Sequence, residues 1–167
     1  MARLNDIGNA PVRFALANCN TVKAGLTTAT TTTAVKTVAA TNYTINGIYY
    51  TKAITDNMAI TTATGPVNAS TTTYVQPLNT VAYYVVCLDA AGALSIVQGS
   101  YAGQPLGGGA IGDGSIPDVP TTVCAIGIFK LSTTTAAFTI GTTAVTSAAV
   151  GTATFYDILG VIPVGAI

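Results

Sequence analysis

The stretch Val81–Leu88, with the sequence VAYYVVCL, decides the fold of this chain. It is a continuous run of eight apolar or aromatic residues, a composition typical of a β-strand that is buried on both faces. Asp89–Gly92 (DAAG) follows it and predicts a turn, and Ala93–Gly99 predicts a strand that returns from that turn.

The rest of the chain carries shorter strand signals. Asn42–Ile45 and Ile48–Thr51 flank Asn46-Gly47, which is a strong hairpin signal because both turn positions favour positive φ. Several short strands separated by turns predict an all-β fold: a sandwich, a jelly-roll-like fold or a small barrel. The remaining expectations are strands at Thr71–Val75, Thr121–Leu131 and Thr152–Leu159, a strand at Ala136–Ile140 paired with Thr121–Leu131, a loop at Ser100–Pro120 and a short helix at Ala144–Ala149.

The first 33 residues lack a clear hydrophobic period, and we expect them to form an extended N-terminal arm, with a β-rich domain over residues 34–167. The first 36 positions carry four basic residues and one acid, whereas the rest carries two basic residues and five acids. A basic arm is therefore expected to dock on an acidic partner surface through Arg3, Arg13 and Lys23. The basic residues are spaced singly, which argues against nucleic acid as the partner.

Composition argues against an enzyme. The chain has no His, no Glu and no Trp, and only 7% of its residues are charged. Most general acid–base catalysis uses His, Glu, Asp or Lys. A monomer of this mass is expected to expose about 7,600 Å², which is a large area for so few charges. We therefore expect a homo-oligomer or a subunit of a larger assembly.

The candidate ligand sites favour structural roles. Gly107, Gly109 and Gly112 match the spacing G-x-G-x-x-G, but no strand precedes them and no helix follows, so a flexible loop is expected. The acidic and thiol side chains show no known metal-ligand spacing, so no metal and no cofactor are expected. The residues concerned are Asp89, Asp113 and Asp118, expected in turns, and Cys19, Cys87 and Cys124, expected as free thiols with Cys87 and Cys124 buried.

Neither a membrane span nor a secretory signal is predicted. The apolar runs are shorter than the about 20 residues that a spanning helix needs, and Met1–Asn9 contains no apolar core segment. We expect synthesis in a cytoplasm without export.

Three segments in the second half of the chain resemble structural proteins of tailed bacteriophages, namely capsid decoration (cement) proteins, head fibres and related tail-fibre modules. They are Val85–Ser100 (VVCLDAAGALSIVQGS), Ile116–Pro120 (IPDVP) leading into VCAIGIF, and the Thr-rich stretch before FYDI. The resemblance implies a virion protein, often trimeric, that binds the outside of a capsid, and it implies no catalytic residues.

Two functions follow as expectations. The first is a capsid decoration protein that binds the major capsid protein on the outside of the phage head and stabilises the capsid lattice. The alternative is a tail-fibre or receptor-binding module, for which the Ser100–Pro120 loop would be the recognition surface. A bacterial surface-layer or appendage subunit is a third class, against which the missing export signal argues.

Overall fold

The computed structural model describes residues 18–31, 33–59, 63–64, 75–103, 114–147 and 152–160. These residues form β-strands, turns and irregular segments and contain no helix, which confirms the all-β prediction. The strands are β1 (Cys19–Asn20), β2 (Leu26–Thr28), β3 (Ala34–Thr37), β4 (Thr41–Ile45), β5 (Ile48–Lys52), β6 (Met58–Ala59), β7 (Ala63–Thr64), β8 (Val75–Gln76), β9 (Thr80–Leu88), β10 (Leu94–Gly103), β11 (Cys124–Ser132), β12 (Phe138–Thr139) and β13 (Ala153–Asp157).

A five-stranded sheet with the order β13-β11-β9-β10-β7 forms the centre of the protein. Its middle strand, β9, is the stretch identified from the sequence, and both of its faces are buried. One face places Tyr84 in the main core, where its ring stacks on Phe129 with centroids 4.8 Å apart. The other face places Val85 and Cys87 in a second, smaller core. The continuous apolar run therefore reflects burial on both sides of the sheet.

Two β-bulges adjust the sheet. The register between β10 and β9 shifts by one residue between Gln98 and Tyr101, and that between β11 and β9 shifts between Ala125 and Gly127. A bulge places two residues of one strand opposite one of its neighbour and changes which face the later side chains occupy. Because of the second bulge, Phe129 points into the main core instead of the smaller one.

The smaller sheets pack around this centre. They have the orders β1-β4-β5, β2-β3-β6 and β12-β8. The predicted hairpin is confirmed as β4 and β5, joined by Asn46 (φ 51°) and Gly47 (φ 78°). Positive φ at both positions is the geometry of a type I′ turn, which Asn-Gly favours.

Residues 18–31 of the expected arm are part of the β domain. Cys19 and Asn20 form β1 against β4, and Leu26 begins β2 against β3. The side chains of these three residues are buried. The arm hypothesis therefore applies only to residues 1–17, which lie outside the described residues.

Two local predictions are wrong. β12, within the predicted 136–140 strand, pairs with β8 and not with β11. Residues 144–147 form a turn closed by a hydrogen bond from the Ser147 N–H to the Ala144 carbonyl, where a helix was expected. The segments 71–74 and 148–149 of the predicted strand and helix lie outside the described residues.

Candidate interaction surface

The predicted arm residues fall in different parts of the chain. Arg3 and Arg13 lie outside the described residues. Lys23 lies between β1 and β2, and its side chain is exposed. Its neighbour Val22 is also exposed. Lys23 is therefore accessible to a partner, but the structure does not bring it together with either arginine.

Asn18, which follows the N-terminal segment 1–17, is fixed to the domain by three hydrogen bonds of its side chain. Its side-chain amide donates to the carbonyls of Thr121 (2.6 Å) and Val123 (2.8 Å), and its side-chain oxygen accepts from the Asn46 N–H (2.8 Å). These bonds join the start of β1 to the hairpin turn and to the segment before β11. Residues 1–17 therefore connect to the domain beside the Asn46-Gly47 turn.

A backbone bridge fixes the other end of the described chain to the same strand. The Gly160 N–H donates to the Asn20 carbonyl (2.7 Å), and the Asn20 amide side chain donates to the Ile158 carbonyl (2.9 Å). The Asn20 side-chain oxygen accepts from the Thr41 hydroxyl at 2.6 Å. The buried polar groups of Asn20 thus have hydrogen-bond partners, and the bridge to Gly160 covers the outer edge of β1.

The cysteines are confirmed as free thiols, and all three are buried. Burial raises the pKa of the Cys124 thiol to about 12 and raises the pKa of Cys87 further. A thiol with so high a pKa is almost entirely protonated near neutral pH and is a poor nucleophile. No cluster of metal-ligating side chains occurs among the residues that the structure describes.

The acidic candidates in turns have structural partners or are exposed. The Asp89 carboxylate accepts from the Ala91 and Ala93 N–H groups at 2.9 and 2.8 Å, and so holds the DAAG turn as predicted. Asp118 is exposed. Gly107, Gly109, Gly112 and Asp113 lie outside the described residues.

A short segment of the predicted Ser100–Pro120 loop, residues 114–120, lies across the smaller core and is here called the strap. Ile116 and Val119 of the strap pack against the cluster that contains Val85 and Cys87. The strap begins at a close backbone approach, where a Cβ atom on Gly114 would overlap the Ser100 carbonyl. These seven residues, a third of the predicted loop, are therefore packed on the domain. The first four residues of the predicted loop belong instead to β10.

Large apolar side chains remain exposed on several strands and turns of the domain. Ile48 and Tyr49 of β5 are each 59% exposed, and Ile54, just beyond β5, is 64% exposed. Composition indicated such a surface but could not locate it, because Ile48–Thr51 has the same apolar and aromatic character as a core strand. The other exposed large apolar residues are Val22, Val38, Val75, Leu78, Tyr101, Tyr156 and Leu159.

Charge is thinly spread over this surface. The accessible area of 8933 Å² is shared by twelve formally charged residues, or one for about 740 Å². Charged residues make up 7% of the chain, against about 25% in a typical soluble domain. In the part of the chain that the structure describes, no helix is long and apolar enough to cross a bilayer.

Compared with known proteins, the chain matches no family model, no curated sequence and no solved structure. The site is therefore defined by its own geometry: an all-β domain whose three thiols are buried and whose exposed apolar side chains include those of the hairpin strand β5.

Proposed function

We propose that this chain is a capsid decoration protein of a tailed bacteriophage, which binds the major capsid protein on the outside of the head. The observation that carries the proposal is the pairing of exposed apolar side chains with a scarcity of charge. Large apolar side chains that stay exposed with few charges around them are candidates for contact with another protein. The resemblance of the second half of the chain to virion proteins supplies the partner class.

The proposed mechanism is thermodynamic. A protein that binds the assembled shell, and not its dissociated or unfolded subunits, stabilises the shell by mass action. At a free concentration 100 times the dissociation constant, each site gains about 2.7 kcal/mol. We propose a homotrimer, because repeated contacts to a lattice strengthen attachment by avidity.

The experiment is disruption of virions followed by separation of heads from tails. We expect the protein to fractionate with heads, and heads stripped of it to lose their contents at a lower temperature. Adding the purified chain back should restore the original temperature. Fractionation with tails would overturn the proposal and favour the tail-fibre or receptor-binding alternative.

A further inference from the structure

The strand β5 lies at an edge of the sheet β1-β4-β5, and among the described residues no other strand pairs with it. The opposite edge, β1, is covered by the bridge to Gly160. The edge strand β13 of the central sheet is held to β2 by the bond from the Leu26 N–H to the Asp157 carboxylate (3.0 Å). β5 and β13, with five residues each, are thus the longest of the sheet-edge strands in the described part of the chain, and β13 ends in the charged residue Asp157 that this bond holds.

The hairpin geometry determines which backbone groups of β5 point outward. The pair Ile45–Ile48 closes the two-residue turn, so these two residues exchange hydrogen bonds and the pattern alternates from there. In agreement, the Asn42 carbonyl of β4 faces the other way and accepts from the Thr21 N–H at 2.8 Å. The N–H and C=O groups of Tyr49 and Thr51 therefore face the open edge.

The usual protections of an edge strand are weak here. Natural edges are blunted by prolines, bulges, inward charges or lysines. β5 contains no proline, and its pairing with β4 runs without a register shift from Ile48 to Lys52. Its one charge, Lys52, stands at its end, and Ile48 and Tyr49 are largely exposed.

We propose that β5 pairs in antiparallel fashion with β5 of a second copy of this chain, across a twofold axis at Tyr50. In this register Tyr49 lies opposite the second copy's Thr51. The backbone N–H and C=O groups of these two opposing residues bond one another across the strands. All five residues of the strand overlap. The two Lys52 side chains lie at opposite ends, about 13 Å or more apart along the strands, which exceeds the physiological Debye length of about 8 Å.

The second copy is the favoured occupant because the edge is complementary to itself. When the strand is reversed, the outward-facing pair Tyr49 and Thr51, both uncharged, meets the same pair of the second copy, as an isologous contact requires. The five residues of each strand are far fewer than the about 20–30 residues per partner of a stable interface. We therefore expect weak pairing in dilute solution and stronger pairing where copies are held side by side.

This inference goes beyond the proposed function and does not depend on it. If the chain forms trimers through another surface, β5–β5 pairing would link one trimer to the next. The pairing is a property of the isolated chain, so its failure would leave binding to heads untouched.

The test is register-specific disulfide formation in the full chain. Variants Y49C and T51C are prepared separately, mixed and oxidised mildly at increasing concentration. In the proposed register, positions 49 and 51 of different copies have Cα atoms about 5.5 Å apart, within the range a disulfide spans. Like positions lie diagonally, about 7–8 Å apart, beyond the reach of a relaxed disulfide.

We expect the mixture to give at least about tenfold more cross-linked dimer than either variant alone. The native cysteines do not compete, because all three are buried. Equal cross-linking by each variant alone, or none in the mixture, would overturn the proposal. Unchanged far-UV circular dichroism of both variants checks that the domain is folded.

A second pair of variants tests the backbone bonds directly. T51P removes an outward N–H, which an edge strand tolerates, whereas T51V keeps that N–H and has a similar shape. Sedimentation should show weaker self-association for T51P and little change for T51V. The same association for both folded variants would contradict strand pairing.

Discussion

Single polar side chains inside the domain form a network that holds the end of the central strand. The Gln76 amide donates to the carbonyls of Thr80 and Leu131, both at 3.0 Å, and its oxygen accepts from the Tyr84 hydroxyl at 2.8 Å. Gln76 and Tyr84 are fully buried. Breaking one of these hydrogen bonds would therefore leave a buried polar group with neither a protein partner nor water. A network satisfied in this way specifies one arrangement of β8 against β9.

The first prediction concerns this network. Tyr84→Phe removes the donor to Gln76 and leaves a buried oxygen without a partner, which should lower the free energy of unfolding by about 1–3 kcal/mol. Tyr83→Phe is the matched control, because Tyr83 is half-buried and lies outside the Gln76 network. Its effect should stay within about 0.5 kcal/mol. Urea denaturation measures both, and equal losses would contradict the role of the hydroxyl.

The second prediction concerns alkaline pH. Burial raises the pKa of Cys124 to about 12 in the folded protein, whereas an unfolded thiol has a pKa of about 8.5. The unfolded state therefore loses its proton first, and stability present below pH 8.5 declines as pH rises toward 12, by up to about 1.4 kcal/mol per pH unit for one thiol.

The check is urea denaturation at several pH values between 8 and 12. Cys87, whose pKa is also raised, adds to the same decline. Cys124→Ala should make the decline shallower, because one of the ionising thiols is gone. A variant with the wild-type slope would show that Cys124 ionises equally in both states.

Among the elements, the strap depends on glycine at two positions. A Cβ atom on Gly99 would overlap the Ser115 carbonyl, and one on Gly114 would overlap the Ser100 carbonyl and lie 2.9 Å from that of Val81. The Ser100 and Ser115 hydroxyls are 2.5 Å apart at the same crossing. Backbone atoms cannot move aside as the end of a flexible side chain can.

The third prediction follows from this crossing. Gly99→Ala or Gly114→Ala should displace the strap and cost about 1–3 kcal/mol, whereas Ser115→Ala should cost less than about 1 kcal/mol because that site is exposed. Displacement should also open Cys87 to a thiol reagent that does not react with the wild-type protein. A glycine variant with an unreactive Cys87 would show that the strap stays in place.

The elements that sequence predicts correctly are those with local causes. The apolar run of β9 and the Asn46-Gly47 turn each depend on neighbouring residues, and both were located to within a residue. The bulges and the pairing of β12 with β8 depend on contacts between distant segments, which periodicity does not contain. β1 and β2 are strands of two or three residues, too short to show a period.

At the scale of the whole molecule, the sequence predicted a surface with few charges and exposed apolar side chains, but it did not predict where on the domain those side chains lie. The low charge indicated a chain that contacts other protein, but the open edge of β5 depends on which strands are paired or covered. Of the three residues predicted to bind the partner, Lys23 is the one that the structure describes, and it is exposed. Arg3 and Arg13 lie outside the described residues, so their contact with a partner stays a prediction.

The last prediction tests the N-terminal segment. Arg3 and Arg13 are expected to pair with carboxylates of the capsid protein or of a neighbouring copy, since guanidinium binds them in bidentate geometry. Because β1 begins at Cys19 and Asn18 anchors it, deletion of residues 1–17 should leave the domain folded, whereas deletion through residue 20 would remove β1. The deletion of 1–17 should weaken binding to heads stripped of this protein.

Replacing only Arg3 and Arg13 with Ala should weaken that binding partly, because the rest of the segment is retained. Exposed ion pairs are screened by salt, so wild-type attachment should fall as ionic strength rises and that of the double variant should fall less steeply. Lys23→Ala separates the arginines from the exposed lysine on the domain. If the chain lacking residues 1–17 attaches as tightly as wild type, the charge asymmetry has no docking role, and attachment depends on the β domain alone.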